Sequence, residues 1–411
     1  MTSAAAPSPI DWQERANVAA RSVTALFGRK LFFLPGTHLA VVKWPAPAWR
    51  FGLKGTLLQP WHYWWQAHYV DCLVDAGRRE LGNRATPASG FDGPSNPGAG
   101  RLASRLLTGM WLRNAFTYVN NYYDDMAWLA LAVLRLDTLA EETCNAGRRR
   151  NARVRTSLTL QFDAACTGDM GGGAFWSKKR DFKNTPATAP IALYYARTGH
   201  PAKAQALLDW LDATLFDPDQ NLYLDGARLS SEGNVLIDRA VYTYNQGPVL
   251  GALLEVGGEA SLARAAALVE GVDRLLTVPV RNASAAPDTE GAPRKVLRCD
   301  GTGDGGLFTG ILCRYLALAA ADARLHERTR TTAARLVVDT AVALWDGKRP
   351  AGPGDGPLRK GQPGRPIFSM HAADPADATY PPGSVVELST QLQAWMVIEA
   401  AASITMAEQS L

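Results

Sequence analysis

Apolar residues recur at i, i+3, i+4 and i+7 along most of the chain, and strand-like alternation is scarce. That period predicts amphipathic helices rather than sheet. Helices are expected near 11–28, 60–83, 100–117, 122–139, 150–165, 185–199, 202–216, 239–257, 259–277, 305–321, 325–345 and 385–404. Gly199-His200-Pro201 ends one helix and opens the next with proline in its first turn, and Gly257-Gly258 separates another pair. Long helices joined alternately by short turns and by longer Gly- and Asp-rich loops predict stacked helical hairpins. The expected fold is all-α, an (α/α)6 barrel of six inner and six outer helices. Residues 11–411 are read as one domain, and residues 1–10 as a flexible, Pro-containing tail. The Pro-, Gly- and Ser-rich stretch 85–100 reads as a surface excursion, and 346–382 as a long loop before the last helix. Long loops on one rim of a rigid scaffold are where binding surfaces usually lie.

Composition removes several function classes. Lys plus Arg total 43 against 39 Asp plus Glu, a formal charge of only +4, with no basic tract that could follow a phosphate backbone. Nucleic acid is therefore not an expected partner, and Arg148, Arg149 and Arg150 are placed in a solvated interhelical turn. The five cysteines (Cys72, Cys144, Cys166, Cys299 and Cys313) form no CxxC and no zinc spacing with histidine. Neither a disulfide framework nor a metal site is expected. The first ten residues lack the basic and apolar regions of a secretory signal, and no apolar run approaches the ~20 residues of a membrane span. A cytoplasmic monomer without a cofactor is the expectation, with an extracellular location only through non-standard export or a truncated start.

The densest chemistry lies between Tyr118 and Arg135, where a polar, aromatic loop becomes an apolar helix at Asp124-Asp125. One reading is helix capping, since aspartate in a first turn accepts free N–H groups and meets the positive end of the dipole. Two adjacent carboxylates also raise each other's cost of ionisation. Their Cα atoms are ~3.8 Å apart, so the carboxyl groups can approach the roughly 5 Å that a retaining glycosidase requires. In that reading the helix N-terminus keeps one ionised, and repulsion keeps the other protonated.

Aromatic residues supply a second signal. Twelve tryptophans are present, and Trp61, Trp64, Trp65 and His68 share one helical face. That face is either a core stripe or a surface for stacking the apolar faces of pyranose rings. His62 and His68 have no motif partner. Gly171-Gly172-Gly173 lacks the Lys-Ser/Thr pair and preceding strand of a phosphate loop. It reads instead as a tight turn exposing Phe175 and Trp176 at a cleft. Tyr242-Thr-Tyr-Asn-Gln-Gly-Pro248 gathers hydroxyl and amide groups at a helix start, and Asp304 opens another helix.

Taken in order, these segments resemble glycoside hydrolase family 76, the endo-α-1,6-mannanases. The matching pieces are Asp124-Asp125 followed by Trp128, the glycine turn with Trp176, Lys183-Asn184, Tyr242-Thr-Tyr-Asn-Gln-Gly247, and Gly305-Gly-Leu-Phe-Thr-Gly310 with Arg314-Tyr315. The resemblance implies an (α/α)6 barrel and metal-free, retaining cleavage within an α-mannan or manno-oligosaccharide. It implies Asp124 as nucleophile and Asp125 as general acid/base. Residues expected at the substrate are Trp65, His68, Asn121, Trp128, Gly172, Phe175, Trp176, Lys183, Asn184, Tyr244, Asn245, Gln246 and Asp304. The chain departs from the family pattern at Phe175, at Thr185-Pro-Ala-Thr-Ala189 and at Thr309. The alternatives are another (α/α)6 enzyme, such as a uronyl hydrolase or a sugar epimerase, or a non-catalytic glycan-binding protein.

Overall fold

The structure is a computed structural model that describes residues 10–45, 60–82, 97–143, 148–281 and 294–409. Most of the expected tail and of the 85–100 excursion, and Cys144, lie outside these residues. Among the described residues, twelve helices of 13 to 22 residues make up the body. They are α1 (Trp12–Phe27), α2 (Tyr63–Gly82), α3 (Ala99–Arg113), α4 (Tyr123–Glu142), α5 (Arg148–Ala165) and α6 (Thr185–Arg197). The second half continues with α7 (Pro201–Thr214), α8 (Thr243–Val256), α9 (Gly258–Leu275), α10 (Phe308–Ala321), α11 (Glu327–Asp346) and α12 (Leu388–Gln409).

The even-numbered helices form a closed ring: α2 packs on α4, α4 on α6, α6 on α8, α8 on α10, α10 on α12, and α12 on α2. Each odd-numbered helix lies outside, with α1 on α12, α3 on α2, α5 on α4, α7 on α6, α9 on α8 and α11 on α10 and α12. This is the expected (α/α)6 barrel. The sequence separates the two rings physically. Outer α9 buries one stripe, Ala265, Leu268, Val269 and Val272, whereas every residue of inner α6 from Thr185 to Tyr195 is buried. A helix apolar all round belongs inside; one with a single stripe belongs on the surface of a core. Close approach of α8 to α10 depends on Gly247 and Gly251, where an added Cβ would come within 2.8 and 2.6 Å of the Tyr315 ring.

Several boundaries differ from the periodic pattern for local reasons. His62 has φ 44°, so α2 opens at Tyr63. Ala115 and Phe116, at φ 52° and 62°, stop α3 after Arg113. Arg148, Arg149 and Arg150 begin α5 rather than occupying a turn.

Each outer helix returns the chain, so the inner helices' N-termini gather at one end. Of the connections leading into them (28–62, 114–122, 166–184, 215–242, 276–307 and 347–387), all but 114–122 are long. They carry short antiparallel pairs, such as Lys183–Asn184 with Gly226–Leu229, and Lys43–Trp44 with Val386–Glu387. The 347–387 connection is structured, held by an Arg349–Asp355 ion pair of 2.7 Å whose side chains are 4% and 1% exposed. Among the described residues no helix is long and apolar enough to cross a membrane.

Candidate active site

The barrel mouth is built on the first turns of the inner helices. At α4, Asn120 Oδ1 accepts the Tyr122 N–H at 3.0 Å, an Asx-turn that carries the chain into the helix with no side-chain cap at Tyr122. Asp124 and Asp125 therefore occupy the first helical turn, each half-buried. Asp124 Oδ1 accepts the Asp125 backbone N–H at 2.8 Å, and Oδ2 accepts the Trp176 indole N–H at 2.9 Å. Asp125 accepts one donor, the Asn120 amide at 2.6 Å. Burial pushes Asp124 up to about 7 against these two donors. Burial and then the Asp124 charge raise Asp125 well above the ordinary carboxylate range, and Asp304 adds to the same direction. When the pair holds one proton, Asp125 keeps it.

Trp176 is positioned by the 166–184 hairpin. Its carbonyl accepts the Tyr123 N–H at 2.8 Å, its N–H reaches Phe182 O at 2.8 Å, and Lys178 N reaches Asn121 O at 2.9 Å. Gly172 and Gly173, at φ 138° and 73°, pass beneath Trp210, where added Cβ atoms would come within 3.0 and 2.5 Å of its side chain. The glycine run thus sets the hairpin's path. Trp176 remains 37% exposed and tilts against Tyr122, 41% exposed, with centroids 5.0 Å apart.

Across the mouth, the Trp64 and Trp65 indoles both donate to Asp304 Oδ1, at 2.9 and 2.8 Å. Trp64 is partly exposed and lies 6.4 Å from both Tyr244 and Phe308, which stack on each other at 3.8 Å. Asp225, on the connection into α8, accepts from Asn245 at 3.2 Å and is pushed up to about 6 by burial. Glu387 accepts the Gly303 N–H at 2.6 Å and pairs with Lys43 at 3.2 Å.

The expected substrate residues divide clearly. Asp304, Tyr244 and Trp176 are at the mouth beside Asp124 and Asp125. Asn121 is exposed there, but the side chain that holds the pair is Asn120. Trp65 and Trp128 are buried beneath the surface, with Trp65 stacked on His62 at 4.2 Å. His68 is 2% exposed between Trp64 and Trp128, and its Nε2 has no hydrogen-bond partner. Burial lowers its pKa well below the usual histidine value. Trp61 precedes α2 and does not share the helical face.

Five of the expected side chains are engaged within the fold itself. Phe175 is 4% exposed and packs under the Lys183 ammonium, 4.7 Å from its ring centroid. Lys183 is fully buried, with Nζ at 2.7 to 3.3 Å from oxygens of Thr167, Asp169, Gly172 and Gly173. It braces the glycine turn from below. Asn184 caps α6 by accepting the Ala187 N–H at 3.2 Å. Gln246 bonds the Tyr223 N–H and C=O, each at 2.9 Å, and the Tyr242 C=O. Asn245 is buried with its Oδ1 unpartnered. Of the groups the sequence reading missed, Asn120 had a signal, the Asx-turn spacing to Tyr122. Asp225 and Glu387 reach the mouth through contacts that no local pattern encodes, whereas Trp64 belongs to the aromatic face already singled out.

A sequence model of Glycosyl hydrolase family 76 matches residues 46–356. A search of curated protein sequences gave no match. Among solved structures, the GH76 α-1,6-mannanase of Salegentibacter sp. HEL1_6 superposes with a TM-score of 0.71 at 25% identity, over 96% of this chain and 100% of that one. The same figures hold for its inactive variant, in which two consecutive aspartates are asparagine, in complex with α-1,6-mannotriose. A protein of Listeria innocua shares the fold at a TM-score of 0.70 and 22% identity, over 96% of this chain and 98% of that one.

Proposed function

Because the chain belongs to glycosyl hydrolase family 76, we propose that it is a retaining, endo-acting α-1,6-mannanase with Asp124 as nucleophile and Asp125 as general acid/base. The observation that carries this reading is the asymmetry across the pair. Asp124 accepts two N–H donors, which favour its anion, while Asp125 accepts one and faces two other carboxylates. Asp125 protonates the glycosidic oxygen as Asp124 attacks the anomeric carbon, giving a glycosyl ester on Asp124. Asp125, then a carboxylate, takes a proton from the water that displaces the ester, and two inversions give net retention. The exposed Trp176–Tyr122 pair and the half-buried Trp64–Tyr244–Phe308 group offer aromatic faces for pyranose stacking. The α-1,6-mannotriose bound by the Salegentibacter variant supports the linkage.

The test is incubation with linear α-1,6-mannan, following product length and the first-formed anomer by NMR. Oligosaccharides of several lengths appearing as α-anomers are expected. A first-formed β-anomer would make the enzyme inverting, mannose as sole product would make it exo-acting, and no cleavage would remove the activity.

A further inference from the structure

Below the mouth, α2 carries a polar stripe into the ring. Trp64, His68, Asp71, Asp75 and Arg79 follow i, i+4, i+7, i+11 and i+15, and each meets a side chain from another inner helix or from the turn before one. At its centre is a closed set of four charges. Arg135 of α4 bonds Asp71 Oδ1 with one arm and Asp75 Oδ1 with the other. Arg314 of α10 takes the remaining oxygens, Asp71 Oδ2 and Asp75 Oδ2, each at 2.7 Å. All four side chains are only 10–18% exposed. Burial works against the Asp75 anion, yet the two guanidiniums hold its carboxyl below the ordinary range.

Burying four ions seldom stabilises a core better than apolar residues of the same volume. What a double fork does supply is geometry, because each planar guanidinium fixes two oxygens at once. The helices so joined are those that build the site. Asp71 lies about two turns below Trp64, and Arg135 about three turns below Asp124. Arg314 follows Asp304 down α10, and α12 separates α10 from α2 in the ring.

We propose that Asp71, Asp75, Arg135 and Arg314 are positioning residues for the catalytic pair: they set the axial register of α2, α4 and α10, and thereby where Trp64, Trp65 and Asp304 stand relative to Asp124 and Asp125. The proposal rests on the hydrolase reading above for its kinetic consequence only. His68 and Trp128 fill the layer between the quartet and the mouth, so a shift below is passed upward through packed rings.

The test uses Arg135→Lys and Arg314→Lys, which keep the charge and lose one arm of the fork. Turnover and KM on α-1,6-mannan are measured, together with the indole N–H resonances of Trp64, Trp65 and Trp176, which report the bonds to Asp304 and Asp124. Misplacing reacting groups by about an ångström costs up to ~100-fold. We expect kcat to fall at least about tenfold with KM within about twofold, and the three indole resonances to move. Arg155→Lys, which weakens the Asp137 pair between α5 and α4, is the control for an ion pair outside the quartet and should lower Tm with kcat and the resonances unchanged. A quartet variant that lowers Tm but keeps wild-type kcat and indole positions overturns the proposal. If the wild type does not cleave mannan, the hydrolase reading fails, and the resonances alone decide the register. Where a lysine variant does not fold, Asp75→Asn is read in the same way.

Discussion

Asp124 and Asp125 sit where a helix end ordinarily favours carboxylate anions, yet burial outweighs that field at both. The proposed mechanism needs Asp124 ionised and Asp125 protonated, so kcat/KM should rise with pH through about 7 and fall again where Asp125, its pKa raised by burial and by the Asp124 charge, ionises. The two limbs belong to the coupled pair. Trp176→Phe removes a donor that favours the Asp124 anion and should move the rising limb to higher pH. Asn120→Ala removes the donor on Asp125 and should move the falling limb upward. A pH–rate profile that leaves both limbs in place removes these two contacts from the mechanism. Stability has its own sign. With its folded pKa raised, Asp124 binds more protons folded than unfolded, so its contribution is full below about pH 4 and is lost as pH rises through about 7. Asp124→Asn should therefore lower kcat by ~1000-fold or more while raising Tm by a few degrees at pH 8, a gain that vanishes near pH 4. Loss of the fold in this variant would return the pair to helix capping.

The 166–184 hairpin shows an element holding a reactive group by internal bonds. Lys183 takes carbonyls from the glycine turn, and the turn carries Trp176 to Asp124. Lys183→Met leaves several buried carbonyls unpaired. It should cost about 2–4 kcal/mol in urea unfolding, with a fall in kcat from a displaced Trp176. Unchanged stability would mean the turn holds itself. The same hairpin shows what a sequence reading can and cannot extract. Gln246 was legible from the cluster of hydroxyl and amide groups at a helix start, and Lys183 and Asn184 through the family resemblance. Whether such a group faces a ligand or a neighbouring carbonyl is decided by the connections folded over it. Phe175 and Trp176 are adjacent and chemically alike, yet the pleat turns one into the core and the other to the mouth.

At the scale of the molecule, nearly all of the fold was legible. The helical period marked the helices and alternating loop lengths gave the hairpin order, while the division into inner helices buried all round and outer helices buried on one stripe came from the packing. The catalytic candidates stood out because two aspartates and their neighbours are contiguous in the chain. The residues of the other wall were named singly, but not their union, since Trp64 and Trp65 meet Asp304 across 240 and 239 positions, and the quartet is equally long-range.

Ring closure by α12 also governs when the enzyme can begin to exist. A ribosome delivers α2 well before α12, and α12 is the helix that packs on α10, α2 and α1 at once. Until it emerges, the barrel is an open arc with apolar inner faces uncovered, a state that invites chaperone capture or aggregation. Its two walls have no reason to stand opposite each other. The nascent chain is therefore expected to be catalytically silent until α12 has emerged and closed the ring.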